Sequence, residues 1–492
     1  MLNKKQTPTT NRDRRRAGIF LHLTSLPGIG PCGSIGPEAH KFVGFLADCG
    51  MTVWQVLPVG PTEPNGSPYQ ASSVHAGNPR LIALEPLLEP GWLPALPKSA
   101  TDVAKGEALR HTWDGFRERA SASDRRALTD FTAENDYWLD DYALFRTLRE
   151  VRQIPWWDWP PALRRRDPNA LEQARLDLRE DLDYVRFEQF LFFNQWQILR
   201  GHANAVGIDL FGDMPIFVAH DSAEVWARPQ DFDLNADGSL RVVAGVPPDY
   251  FSATGQRWGN PLYRWDRMRA DSFRFWVERI HTQLRLFDMV RIDHFRGFDA
   301  CWEIPAEEKT AVKGHWVKSL GDELFECLHR HFDRLPLIAE DLGVITPAVD
   351  ALRKKHHLPG MRVLQFAFSE GALNSHLPFQ HDRDSLVYTG THDNDTSLGW
   401  YRSLDSATRN HVDDYLGFPS EDMPWPLIRC ALGSRGHLAI LPMQDVLGLD
   451  GAHRMNLPGT SEGNWRWRFS WDQVGSDLPG RMQRLVKLYG RR

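Results

Sequence analysis

The sequence predicts an α/β protein, a (β/α)8 TIM barrel that carries large, mostly helical insertions between its strands. Two observations predict it: short β-branched apolar runs alternate with helix-like stretches, and those runs number eight, the count that closes a parallel barrel. A third agrees with them, because acidic residues recur where the runs end. An open doubly wound sheet is the alternative that the same alternation allows.

The first run, residues 17–23 (AGIFLHL), follows a polar leader, residues 1–16, which reads as a disordered tail. The one dense basic stretch of that leader, Arg12 to Arg16, reads as a solvated tail rather than a nucleic-acid arm. A helical pattern over 37–48 leads to the second run, 52–57 (TVWQVL). The third, 208–218 (IDLFGDMPIFV), lies too far on for one crossover, so residues from about 75 to 205 form an insertion. ALFRTLREV and FEQFLFFNQWQILRGHANAV make that insertion mostly helical. A second insertion, 219–270, is rich in turns and Trp, and sits at the catalytic end of a barrel. The remaining runs are 287–293, 336–340, 361–368, 385–391 and 437–442, with helical patterns at 271–286, 320–332, 346–356 and 425–434. Residues 17–492 therefore read as one barrel domain, without internal repeats or low-complexity linkers.

Composition narrows the function classes. Hydrophobic residues at 42%, charged residues at 25% and a mean hydropathy of -0.44 describe a soluble globular chain. A net charge of -6 offers nothing to nucleic acid. Five cysteines, far apart and without CxxC or Cys/His zinc spacing, read as reduced thiols. No secretory segment and no run of transmembrane length is read. These features predict a cytoplasmic protein with no membrane, nucleic-acid or obligatory protein partner. The 19 Trp are unusual, and a flat apolar ring with one polar edge suits sugar C–H faces as well as a core.

Four acids close separate strands: Asp213 in LFGDMPIF, Asp293 in MVRIDHFRG, Glu340 in LIAEDLG and Asp393 in YTGTHDND. On a barrel they converge on one pocket, and paired carboxylates are the apparatus of glycoside cleavage. Any one alone could merely cap a helix. Arg291 changes that balance, since period two puts it on the same face as Asp293 and its charge keeps a nucleophilic carboxylate ionised. Glu340, near two ionised aspartates, gains proton affinity by like-charge repulsion and can donate to a leaving oxygen. Once Asp293 is esterified, Glu340 can turn into a base. That cycle implies retention of configuration and carboxyl groups roughly 5 Å apart.

These residues sit in a longer ordered set: HLTSLPG at 22–28, SPYQ at 67–70, GDMPIFVAHDSAEVW at 212–226, VAGVPPDYFSATGQRWGNPLY at 243–263, RIDHFRGF at 291–298, IAEDLG at 338–343, THDNDT at 391–396 and NLPGTSEGNWRWR at 456–468. The set resembles the amylomaltases or 4-α-glucanotransferases, a branch of the α-amylase-like barrel enzymes, over most of the chain. The resemblance implies that Asp293 is the nucleophile, Glu340 the acid/base and Asp393 the stabiliser of an oxocarbenium-like transition state. It implies that Tyr69, Asp213, Arg291, His294 and His392 hold the sugar at the cleaved bond. It further implies that the loop around Gln256 and Trp258 covers the glycan, with Asn464 lining the cleft. It is the resemblance, not the spacing, that selects Glu340 over the adjacent Asp341. His392 and Asp393 can both serve only if the strand has already turned there. The implied substrates are an α-1,4-glucan donor and a glucose or maltooligosaccharide acceptor. No appended starch-binding domain is read.

Transfer instead of hydrolysis requires a site that disfavours water while holding a second sugar, and Trp258 with Tyr250 and Phe251 is the candidate lid. Two other motifs are read as decoys. Gly28, Gly30 and Gly33 fit GxGxxG, but Pro31 removes an amide and no helix starts there. Asp233 to Gly238 begins like a calcium loop, yet Ala244 stands where the bidentate Glu belongs, so a hairpin with Asp-Gly at its tip is read. No obligatory metal or organic cofactor is predicted. The alternatives are an α-1,4-glucan hydrolase of the α-amylase type and a catalytically inactive glycan-binding protein.

Overall fold

The computed structural model describes residues 14–28, 30–248, 252–369, 371–460 and 462–491. Eight parallel strands make its main sheet: β1 (Arg16–Phe20), β2 (Val53–Gln55), β3 (Asp209–Pro215), β4 (Met289–Asp293), β5 (Leu337–Ala339), β6 (Gly360–Val363), β7 (Ser385–Tyr388) and β8 (Leu438–Pro442). Their spatial order is β6-β7-β8-β1-β2-β3-β4-β5. Neighbours in sequence are thus neighbours in space all the way round, as in a barrel. A doubly wound sheet would reverse its order at a switch point, and none occurs. At the seam between β5 and β6, the Ala339 amide donates to the Pro359 carbonyl at 2.9 Å, and the Met361 amide donates to Asp341 Oδ1 at 2.6 Å.

The strands are shorter than the apolar runs that predict them. Residues 23–25 and 364–366 wind into single 3-10 turns just past β1 and β6, since at the barrel rim the chain leaves the ladder to build loops. Close packing at the centre of β1 requires glycine: a Cβ on Gly18 would stand 2.5 Å from the Val53 carbonyl oxygen and 2.8 Å from Ile440 Cδ1. At the opposite rim the leader proves shorter than the sequence suggests. Arg16 is part of β1, not of a tail; it pairs with Asp209 at 2.7 Å and donates to the Thr52 side chain and carbonyl. Residues 1–13, where the rest of the expected tail falls, lie outside the described residues.

Between β2 and β3 run the helices Asp102–Arg119, Ala122–Glu134, Asp136–Arg152, Pro161–Arg164, Pro168–Asp177 and Arg179–Ala205. The last, 27 residues long, buries Phe187, Phe190 and Phe193 among these helices. Its later turns pack on the barrel, where Trp196 Nε1 donates to the Leu286 carbonyl at 2.7 Å. A second, antiparallel sheet is built from the segments that follow the C-terminal ends of β3 and β4. It joins Val242–Val246 and Gln256–Arg257 to Ala300–Pro305 and His315–Lys318, so half of it comes from the segment after β4, which carried no predicted strand. The five cysteines are unpaired, and among the described residues no helix is long and apolar enough to cross a membrane.

Candidate active site

The barrel interior is filled by Phe20, Val53, Phe211, Ile338, Met361, Val363, Leu386, Tyr388, Leu438 and Ile440. Toward the C-terminal ends the same inward-facing positions turn polar. After Phe211 comes Asp213; after Met289 come Arg291 and Asp293; after Ile338 comes Glu340. The apolar floor and the charged cleft are therefore one alternating pattern, read along the strand direction.

Arg291 is buried and organises the cleft. Its Nη1 donates to Asp213 Oδ1 at 2.8 Å and Oδ2 at 2.6 Å, and its Nη2 to Asp293 Oδ1 at 2.7 Å. Tyr69 adds its hydroxyl to Asp213 Oδ2 at 2.7 Å. Burial works against the guanidinium charge, but Asp213 and Asp293 outweigh it and hold Arg291 protonated. Burial also raises the Asp213 carboxyl, which the Arg291 charge opposes. Asp213 is closed off, whereas Asp293 keeps 29% of its side chain exposed to the cleft.

Glu340 lies at the next strand end, its amide donating to the Ile292 carbonyl at 3.0 Å. Its two oxygens accept the amides of His294 at 2.7 Å and Leu342 at 2.8 Å. His294 directs its amide there because its backbone is left-handed, with φ at 54°, a conformation that costs a non-glycine residue energy and recurs at functional sites. The Glu340 carboxyl is raised from 4.5 to about 7. Burial is the main cause and the Asp293 charge a second one, with Arg291 and the two amides opposing. The sequence argument names only the like-charge part. The neighbouring Asp341 points elsewhere: it accepts the Met361 amide and sits 3.3 Å from Arg353 and 3.4 Å from Arg362, which fastens β5 to β6.

The chain turns directly after β7. Asn394 Oδ1 accepts both the amide and the hydroxyl of Thr391, so His392 and Asp393 no longer alternate as strand residues. His392 stacks on Tyr69 with ring centroids 5.2 Å apart. The half-exposed Asp393 accepts Asn456 Nδ2 on Oδ1 at 2.6 Å, and its carbonyl accepts Arg454 Nη2 at 2.9 Å. Sequence reasoning missed Asn456, Arg454 and also Trp465, whose ring lies 5.9 Å from that of His392. All three fall in or beside the NLPGTSEGNWRWR segment, from which only Asn464 was drawn. Asn464 itself spends its amide within that segment, accepting from the Leu457 amide and donating to Thr460. It shapes the loop that presents Asn456 and Trp465.

Across the cleft, Trp258 sets its ring perpendicular to that of His294 at 4.7 Å and donates to Gln256 Oε1 at 3.1 Å. Phe217, also missed, backs both rings. The lid candidates Tyr250 and Phe251 lie outside the described residues. Burial lowers His294 to about 4, so its ring is neutral at physiological pH.

The two decoys resolve cleanly. Arg468 donates to the carbonyls of Leu26, Gly28 and Gly30, so the GxGxxG segment, whose Ile29 is outside the described residues, offers carbonyls to a cation rather than amides to a phosphate. Residues 234–240 form a hairpin, with Asp237 accepting the Ser239 amide and hydroxyl. Asp233 is engaged by Arg241. Among the described residues no cluster of three metal-ligating side chains occurs.

Fold and cleft together define a parallel-barrel protein with a carboxylate-lined cleft at the strand C-termini, the arrangement of barrel glycosidases. A family model described as 4-alpha-glucanotransferase matches residues 21–473. The 4-alpha-glucanotransferase of Thermus thermophilus is 47% identical over 96% of this chain and 98% of its own. The chloroplastic/amyloplastic 4-alpha-glucanotransferase of Solanum tuberosum is 41% identical over 97% and 87%. Among solved structures, the amylomaltase of Streptococcus agalactiae in complex with acarbose superimposes with a TM-score of 0.93 at 33% identity, covering 97% of this chain and 100% of that one. The chain belongs to the 4-alpha-glucanotransferase, or amylomaltase, family of enzymes.

Proposed function

We propose that this enzyme cleaves an α-1,4-glucan on Asp293 and passes the glycosyl segment to the 4-hydroxyl of glucose or another maltooligosaccharide, with retention of configuration. One observation carries the reading: an aspartate bonded to a buried arginine stands beside a buried glutamate whose proton is held up to about 7. In the first half, the Asp293 oxygen not engaged by Arg291 attacks the anomeric carbon while the Glu340 proton moves to the departing glycosidic oxygen. In the second half, ionised Glu340 takes the proton of the acceptor 4-hydroxyl, that oxygen attacks the anomeric carbon, and Asp293 leaves as carboxylate. Asp393, oriented by Asn456, stabilises the positive charge that develops on the ring.

Tyr69, neutral His294 and His392 hold the sugar at the cleaved bond, and the buried pair Asp213 and Arg291 serves from behind by fixing Tyr69 and Asp293. Trp258, braced by Gln256, covers it and limits water attack on the ester. Asn464 acts through the loop it shapes. The chain from Arg16 onward works as one catalytic unit, with insertions at about 75–205 and 219–270, and the five unpaired cysteines fit a reducing cytoplasm.

Incubating the protein with maltotriose, while following the oligosaccharide ladder and total reducing ends, tests the proposal. Longer maltooligosaccharides plus glucose at constant reducing ends is the expected result. Rising reducing ends without longer products would make it a hydrolase.

A further inference from the structure

The hairpin after β4 carries an aromatic surface outside the cleft residues above. Its strands pair Trp302 directly with Trp316, and the row continues through Gly245 to Arg257. Directly paired residues share a face of a sheet, so these four line one side of it. Trp302 is half-buried: its Nε1 donates to the Ala311 carbonyl at 2.9 Å, with Gly314 packed against the same nitrogen. Trp316 stays 37% exposed, on an edge strand whose four residues are all exposed. Edge strands are usually blunted by charge or proline, so an open indole there is a feature to explain.

The ring is firmly held. The Arg296 guanidinium lies 3.6 Å from its centroid, the Trp302 ring meets it at 65° and 5.2 Å, and Arg296 also donates to the Val344 carbonyl. Both ends of this support lead back to Glu340. Arg296 lies in the turn opened by His294, whose amide bonds Glu340 Oε2, and Val344 lies two residues past Leu342, whose amide bonds Oε1. Glu340 and Trp316 thus belong to one frame. In the reading above Glu340 handles the oxygen that joins the departing or incoming chain, so Trp316 is tied through two short backbone segments to the group that meets that chain.

We infer that Trp316 is a platform for the distal glucose units of the acceptor chain, stacking an apolar sugar face on its exposed indole. The inference rests on the transfer reading above. A carbohydrate fits better than a protein partner because this edge strand presents one braced indole, set between exposed His315 and Val317, and a single held ring matches one sugar face.

The test uses acceptors tagged at the reducing end, maltose and maltoheptaose, with untagged maltotriose as donor, in wild type, Trp316→Ala and Trp316→Phe. The expected result is that Trp316→Ala lowers the ratio of kcat/KM for maltoheptaose to that for maltose by about tenfold, while Trp316→Phe restores most of it. An unchanged ratio overturns the inference. Equal losses on both acceptors, unrescued by Phe, would make Trp316 a packing residue and overturn it too. Loss of a multimer by Trp316→Ala, at an unchanged ratio, would assign the surface to a second copy of the chain. If wild type extends neither acceptor, the transfer reading falls first and this inference with it.

Discussion

At each end of the barrel a buried arginine binds an aspartate of β3, with opposite consequences. At the N-terminal end, Arg16 joins Asp209 and Thr52, so its donors close on the protein and stitch β1, β2 and β3 together. At the C-terminal end, Arg291 closes on Asp213 but only half closes on Asp293, which keeps part of its carboxylate in the cleft. The same ion-pair chemistry serves cohesion where every group is satisfied and reactivity where one group is held ready. This follows the division of a parallel barrel into a stabilising and a catalytic face.

The largest expected effect tests the reactive end. Glu340→Gln should lower transfer from maltotriose by about a thousandfold, because general acid/base catalysis contributes on the order of 100- to 10,000-fold. Activity within tenfold of wild type would remove Glu340 from the chemistry. The two arginines can then be set against each other. Arg291→Met strands Asp213 in the interior and should cost about 3–5 kcal/mol of stability together with at least hundredfold in kcat. Arg16→Met should cost about 1–3 kcal/mol by denaturant unfolding and leave kcat as it was. Equal losses of kcat in both variants would break the comparison.

The pH profile sharpens it. A carboxyl raised from 4.5 to about 7 binds its proton more tightly in the folded state. Its favourable contribution to stability is full below about 4.5 and is lost as pH rises through about 7. In the proposed mechanism the protonated form starts the reaction, so kcat/KM should fall about tenfold per pH unit above that value. In Glu340→Gln the melting temperature should vary less with pH between 4.5 and 7 than in wild type. Among the cleft variants the smallest effect belongs to the support of Asp393: Asn456→Ala removes one charge-assisted hydrogen bond and should lower kcat about tenfold with little change in melting temperature. An unaltered kcat would leave Asn456 a mere surface contact.

What could be read from the sequence follows from what is local. Continuous runs such as VRID and LVYTG announce buried parallel strands, and acids at their ends are visible because alternation and strand termination are local patterns. CWEIP hides because its pairing with residues 242–245 crosses β4, and HWVK hides because it pairs with that same unsignalled strand. Asn456 hides in an irregular loop, where spacing carries no facing. The shift on Glu340 was expected in direction, but its main cause is burial, a property of the assembled fold. Asp341, adjacent and chemically similar, separates from Glu340 only once Arg353, Arg362 and Met361 are seen around it.

One feature reaches into the history of each molecule. β1, the first strand of the barrel in chain order, lies between β2 and the last strand, β8. Asp393 takes its hydrogen bonds from Asn456 and Arg454 beyond β8, and Arg468 fastens that same stretch to the loop after β1. On the roles proposed above, a growing chain carries Asp293 and Glu340 long before the residues that orient Asp393 are made. The proposed chemistry therefore needs the closing strand and the loop behind it, and a chain cut before Arg454 should show no transfer on a glucan.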